Sequence, residues 1–178
     1  MAFSDLGSLG ANGSSSNNQS TLVLTTTAVA AVGELVVLVI ADDNRLSTAD
    51  ADGAEVASVT DNSSGGPNTW TKAKGWSNNN AASQAGASVS LWYSVITHQI
   101  ASGGTITATF TDNTLSDATA ITARHFSISG TEVIVEASNT LSNDAADPGS
   151  LDATTANVNC LRIRGIGGEA ANNTSLTV

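Results

Sequence analysis

The sequence predicts an all-β protein: a two-sheet antiparallel β-sandwich, jelly-roll-like, with an extended N-terminal arm. Short runs rich in Thr and Val recur at a spacing of about 8–12 residues between turn signals, which is typical of sandwiches and barrels. No stretch has the periodicity of a helix. Charged residues make up only 12% of the chain, against roughly 25% in an average protein. Because long charged side chains favour helices while Thr and Val favour strands, this composition also favours sheet.

Residues 1–19 are predicted to form the arm, and residues 20–178 the sandwich domain. The arm contains glycines and a Ser/Asn run with no periodicity and little to bury. Phe3, Leu6 and Leu9 are its apolar exceptions, spaced three residues apart, and they predict three anchor points on a partner. A flexible terminus is the alternative interpretation.

The domain is predicted to contain about ten strands. The most apolar run, 34–40, has no polar face and predicts a central strand covered on both sides. The run 88–97 alternates, with Leu91 and Tyr93 on one face and Trp92 on the other. The Gly103–Gly104 turn after it predicts a hairpin with the next run. The predicted strands are 20–27, 34–40, 56–60, 69–74, 88–97, 105–111, 120–128, 133–137, 151–155 and 160–164.

Residues 172–178 form a turn that enters a further strand, where the sequence stops. No capping charge or polar tail follows that strand. We therefore expect the natural protein to continue past Val178.

The charge balance limits the partners. The chain has 6 Lys and Arg against 16 Asp and Glu, a net charge of −10. Such a chain repels nucleic-acid phosphate and anionic lipid, so we expect no direct nucleic-acid partner and no membrane. The longest apolar run, 35–41, is far shorter than the ~20 residues of a membrane span. Cys160 is the single cysteine, which excludes an internal disulfide and a cysteine-based zinc site.

An acidic stretch is the best candidate for a metal site. Asp50, Asp52 and Glu55 carry oxygen ligands of the kind that Ca²⁺ prefers. Their spacing is not that of an EF-hand, and a solvated acidic loop between strands is the alternative. The two histidines, His98 and His125, are not accompanied by the residues of a catalytic triad in a recognisable pattern. We therefore predict no catalytic residues and no enzyme activity.

Tryptophans are the other candidates. Trp70, Trp76 and Trp92 could each fill the core, anchor a protein interface or stack on a sugar. Trp92 lies on the opposite face of its predicted strand from Leu91 and Tyr93, and Trp76 lies beside an Asn-rich loop. Trp76 and Trp92 are therefore the residues proposed for an interface or a sugar platform, with the core as the alternative.

Two segments resemble known proteins when they are taken together. The first is 59–62, a Gly-containing turn and then 68–73 (Asn-Thr-Trp-Thr-Lys-Ala); the second is 89–93 followed by 103–110. In this order they resemble a loose group of bacteriophage virion proteins with β-sandwich or jelly-roll domains, which serve as capsid decoration (cement) proteins or tail components. The resemblance covers residues 20–130 and the strand at 161–163. The turn departs from the pattern by an inserted Ser-Gly-Gly-Pro, and no catalytic residue is carried over.

The resemblance implies a phage virion structural protein, and we expect a capsid decoration protein that stabilises the shell. Its implied partners are the major capsid protein or other virion proteins, including further copies of itself, in a virion assembled in the host cytoplasm. A tail, fibre or baseplate component is the alternative within virions. A carbohydrate-binding or adhesin module is the alternative of another class, and a hydrolase on the same scaffold is a formal one.

Overall fold

The computed structural model describes residues 2–14, 20–43, 51–52, 55–78, 86–111, 119–130, 161–167 and 174–177. These residues contain strands and no helix, so no helix among them could cross a membrane. The strands are β1 (Phe3–Ser14), β2 (Thr21–Thr25), β3 (Leu35–Asp43), β4 (Val56–Asp61), β5 (Thr71–Ser77), β6 (Ala87–Val95), β7 (Thr105–Phe110), β8 (Thr119–Ile128), β9 (Arg164–Gly167) and β10 (Thr174–Thr177).

Two antiparallel sheets pack against each other, which confirms the predicted sandwich. One sheet has five strands in the order β1-β8-β3-β6-β5, and the other has three in the order β2-β7-β4. Strands β9 and β10 form a separate two-stranded ribbon. The chain alternates between the sheets along β1 to β4, as in a jelly roll of eight strands. This alternation between the sheets stops at β5, which joins the five-stranded sheet and pairs with β6 at its edge.

Strand β3 is the centre of the five-stranded sheet, and both of its faces are buried. Val36, Leu38 and Ile40 point into the core between the sheets, while Leu35 and Val37 belong to a cluster on the outer face. Because both faces pack against apolar groups, an uninterrupted apolar run is what this position requires. The prediction of a central strand covered on both sides is confirmed.

The core between the sheets draws on both of them. Its buried members are Leu9, Leu22, Leu24, Ala30, Val36, Leu38, Ile40, Val56, Trp92, Ile96, Ile100, Ile106, Ala108, Phe110, Ile121 and Ala123. A second cluster lies on the outer face of the five-stranded sheet, where Phe126 is buried among partly buried neighbours that include Leu161 and Ile163. The start of the β9 ribbon approaches this face so closely that a Cβ at Gly165 would lie 2.9 Å from a methyl of Val39.

The predicted arm requires a correction, because most of it is strand β1. This strand pairs with β8 at the edge of the five-stranded sheet. The pairing has two register shifts, after Asp5 and after Ser8. Such bulges interrupt the alternation of side chains, which is why the segment lacks a visible strand period. Gly10 has a φ of +147°, and a Cβ there would lie 2.8 Å from the Thr25 carbonyl oxygen.

The hairpin predicted at Gly103–Gly104 is wrong. Strand β6 lies in the five-stranded sheet and β7 in the three-stranded sheet, so the connection crosses between them. Ile96 and Ile100 of this connection are buried in the core. Ile100 also exchanges backbone hydrogen bonds with Ala30 of the β2–β3 connection. These contacts anchor the crossing, and the glycines only turn the chain into β7.

Two further predicted strands, 133–137 and 151–155, lie outside the described residues. The strand predicted at 160–164 is displaced, since the observed β9 begins at Arg164.

Candidate interaction surface

The three apolar residues predicted as partner anchors do not lie together. Leu9 is fully buried in the core between the sheets. Phe3 is partly buried in the outer cluster, against the opposite face of the same sheet. Leu6 is 44% exposed. They therefore cannot act as one docking stripe, since the two bulges of β1 send their side chains in different directions.

Trp92 occupies the core rather than a binding surface, which corrects its assignment to an interface or sugar platform. It is 8% exposed, and its Nε1 donates to the Ser90 hydroxyl at 3.1 Å. Trp76 is partly buried on β5 opposite Val89. Because Val89 and Leu91 share a strand face, Trp76 lies on the outer side of the five-stranded sheet.

The acidic residues predicted to bind Ca²⁺ are only partly within the described structure. Asp50 lies outside it. Asp52 accepts a hydrogen bond from the Lys72 ammonium, with 2.7 Å between Oδ1 and Nζ, and Glu55 is buried. In the part of the chain that the structure describes, no three His, Cys, Asp or Glu side chains come together as a metal site. The calcium site stays a prediction.

A polar network in the β4–β5 connection was not anticipated from the sequence. The Asp61 carboxylate is buried and accepts hydrogen bonds from the backbone N–H groups of Ser63 and Asn68, at 3.1 and 3.0 Å. It also accepts from the Trp70 Nε1 at 2.8 Å and from the Ser63 hydroxyl. Burial acts to raise the pKa of this carboxyl, but these hydrogen bonds outweigh it and hold the pKa below its usual value.

Asn68 extends the network to the β6–β7 connection. Its Oδ1 accepts from the backbone N–H groups of Thr97 and His98, at 2.8 and 2.9 Å. Its Nδ2 donates to the His98 carbonyl at 2.9 Å. One side chain therefore ties two connections together at one end of the sandwich. The turn residues quoted for the family resemblance contain this network, although no sequence pattern indicates the contact with residues 97–98.

The histidines occupy unlike surroundings. His125 is buried, and its Nδ1 lies 2.8 Å from Oε2 of Glu34. That same oxygen accepts from the backbone N–H of Ala31 at 3.1 Å. His98 is exposed beside Gly65. The Glu34–His125 pair therefore fastens the start of β3 to β8, which is the role of a hydrogen-bonded strand histidine.

The outer face of the three-stranded sheet is a surface of hydroxyl-bearing side chains. Strand β7 alternates strictly, with Ile106, Ala108 and Phe110 directed into the core. Its cross-strand partners show the same division, so the three strands present Ser and Thr side chains outward, with Val23 of β2 as the one apolar member. We call this surface the hydroxyl face; its members are Thr21, Val23, Thr25, Ser58, Thr60, Thr105, Thr107 and Thr109.

The hydroxyl face ends at β4, which among the strands that the structure describes is an edge strand paired with β7 alone. Ala57, Ser58 and Thr60 are exposed along it. Such an arrangement can bind another chain through backbone and hydroxyl hydrogen bonds, and the face carries no ionisable side chain. No protein-family model, curated protein or solved structure matches this chain.

Proposed function

We propose that this protein is a phage virion structural protein that reinforces a capsid by binding neighbouring subunits, as decoration or cement proteins do. The observation that carries the proposal is the hydroxyl face with its open β4 edge. It is a surface without ionisable groups on a chain with a net charge of −10. The family resemblance of the turn and strand segments supports the same proposal.

The nature of this surface suits binding rather than catalysis. Burying ionised side chains at an interface carries a large desolvation cost, which hydroxyl groups with hydrogen-bond partners avoid. Four acidic groups are already engaged within the chain: Asp5 with Arg124, Asp52 with Lys72, Glu34 with His125, and Asp61 in its network. These carboxylates therefore serve to hold the fold.

The mechanism would be mechanical. A specific interface buries about 1,200–2,000 Å² in total, and contacts made only in the closed shell stabilise that state by mass action. Many identical copies repeat the effect across the particle. The acidic remainder of the surface keeps the free protein soluble before it assembles.

The proposal is tested by adding purified protein to particles stripped of it and measuring the temperature at which they burst. Wild-type protein should raise that temperature. Thr107→Lys places a charge in the middle of the hydroxyl face and should bind less and protect less. The matched control is Gln99→Lys, which adds the same charge at an exposed residue of the β6–β7 connection. Equal protection with and without the protein would refute the reinforcing role.

Copy number separates the capsid position from the alternative of a tail, fibre or baseplate component. Hundreds of copies per particle favour the shell, and a few favour the tail. The carbohydrate-binding alternative is weakened because Trp92 is buried and cannot stack on a sugar.

A further inference from the structure

We propose that β4 pairs antiparallel with β4 of a second copy of this chain, which joins two three-stranded sheets into one of six strands. The pairing would be two-fold symmetric, with Val59 of each copy at the axis. This goes beyond the proposed function and does not depend on it. A chain that fails to bind a capsid could still form this dimer.

The free backbone groups of β4 follow from its pairing with β7. The N–H of Asn62 donates to the Thr105 carbonyl at 3.2 Å. In an antiparallel ladder the residues that exchange such bonds alternate, so Thr60 and Ser58 face β7 in the same way. Val59 therefore directs its N–H and C=O groups away from the sheet, where a further strand would bind them.

The other three edges of the two sandwich sheets are protected, which singles out β4 among the described strands of the sandwich. Strand β1 has two bulges, after Asp5 and after Ser8. On β2 the Asn12 side chain covers the edge, with its Nδ2 donating to the Val23 carbonyl at 2.6 Å. Strand β5 has a bulge between Lys72 and Lys74, which are themselves charged. Bulges, lysines and covering groups are the usual means by which sheets avoid unwanted strand pairing.

Strand β4 lacks most of these protections. It has no proline, its first charged residue is Asp61 at its end, and its single bulge lies at the start, between Val56 and Ser58. The stretch from Val56 to Thr60 is rich in β-branched residues. An edge of this kind is open to a strand of matching pattern.

The strand that matches best is β4 itself. With Val59 opposite Val59 of the second copy, apolar side chains meet on the core side. Ser58 then lies opposite Thr60 of the second copy on the hydroxyl side, and Asp61 lies opposite Ala57. The neighbouring register would instead bring Glu55 opposite Asp61, and like charges directly opposite each other are destabilising. From Val56 to Thr60 the edge also carries no charge that would attract a basic segment.

Salt dependence distinguishes this occupant from a basic partner. Two chains with a net charge of −10 repel each other at long range. Salt screens that repulsion while the backbone hydrogen bonds of the paired edges remain. We therefore expect self-association to strengthen from low to high salt, whereas binding of a basic segment would weaken.

The first experiment measures the dimerisation constant of the full chain by analytical ultracentrifugation, at protein concentrations up to about 1 mM. Thr60→Lys puts a charge on the β4 edge and should raise the dissociation constant about tenfold or more. Thr21→Lys is the matched control, since it places the same charge on an exposed residue of β2, the opposite edge of the same sheet. It should leave the constant within about twofold. Circular dichroism checks that both variants fold.

The second experiment tests the register in a Cys160→Ser background. Residues 58 and 60 of opposite copies should form a pair without mutual hydrogen bonds, with Cα atoms about 4.5 Å apart, which suits a disulfide. A mixture of Ser58→Cys and Thr60→Cys chains should therefore cross-link more than either chain alone. A monomer at every salt and protein concentration would overturn the proposal. So would a dimer disrupted by Thr21→Lys and not by Thr60→Lys, or equal cross-linking in all three samples.

Discussion

The two sheets of the sandwich differ in how many of their faces are buried. The five-stranded sheet packs Leu38 and its neighbours against the other sheet, and Phe126 with its cluster on the outside. Within the described residues, the three-stranded sheet contributes buried side chains from its inner face and presents the hydroxyl face outward. The five-stranded sheet therefore takes part in two layers of apolar packing. The three-stranded sheet takes part in one such layer and exposes the hydroxyl face.

This difference is visible in the residues of the central strands. Strand β3 reads as an apolar run because both of its sides pack against side chains. Strand β7 reads Thr-Ile-Thr-Ala-Thr-Phe because only every second residue is buried. Within this domain, a continuous apolar pattern therefore marks the sheet that is buried on both faces. An alternating pattern marks the sheet that is buried on one face.

The largest expected effect concerns the second apolar layer. Phe126→Ala should destabilise the protein by about 3–5 kcal/mol, comparable to the roughly 2–5 kcal/mol expected for Leu38→Ala in the main core, because both leave large buried cavities. Urea denaturation measures the loss. Leu6→Ala, which truncates an exposed side chain, should change stability by no more than about 0.5 kcal/mol. A loss below about 1 kcal/mol for Phe126→Ala would mean that the outer cluster is not a packed layer.

The Asp61 network should give the next largest effect. Asp61→Asn replaces one of the two acceptor oxygens with an NH2 group, which can only donate. Either the Ser63 donors or the Asn68 N–H and the Trp70 Nε1 then lose their acceptor, and we expect a loss of about 1–3 kcal/mol at neutral pH. The pKa of Asp61 is lowered by folding, so its contribution is complete above the ordinary value of about 3.9 and is lost as the pH falls through the lower folded pKa.

The pH dependence is measured as the difference in unfolding free energy between wild type and Asp61→Asn. That difference should shrink as the pH falls below about 4. Asp5→Asn is the comparison, because a hydrogen bond from Arg124 lowers the pKa of this exposed carboxyl too. Its effect should be the smaller one, since exposed pairs contribute little. A difference for Asp61→Asn that stays constant down to pH 2 would contradict the assigned role.

The smallest effect is expected on the hydroxyl face. Thr107→Val keeps the β-branched shape and removes only the hydroxyl, so the free energy of unfolding should change by no more than about 0.5 kcal/mol. Thermal denaturation of both proteins at one pH measures it. A loss above about 1 kcal/mol would show that Thr107 makes a buried hydrogen bond, and the contrast between the two sheets would then be weaker.

Local patterns predicted much of the fold and little of the candidate surface. The runs around Leu38, Trp92 and Ile106 each correspond to an observed strand, because alternation and burial are recorded in neighbouring residues. The Asp61–Asn68 network was missed because its partners at Thr97 and His98 are about thirty residues away in the chain. The β4 edge was missed because the residues of a strand do not show whether another strand lies beside it.

The sequence by itself determined that the chain folds into strands, where most of them lie, and which face of each is apolar, since these properties depend on side chains one or two residues apart. Only the tertiary structure decided which sheet each strand joins. Backbone hydrogen bonds between distant strands carry no side-chain signature. The glycines at 103–104 suit a hairpin and a crossing equally well, and the bulges of β1 removed the alternation that would have revealed a strand.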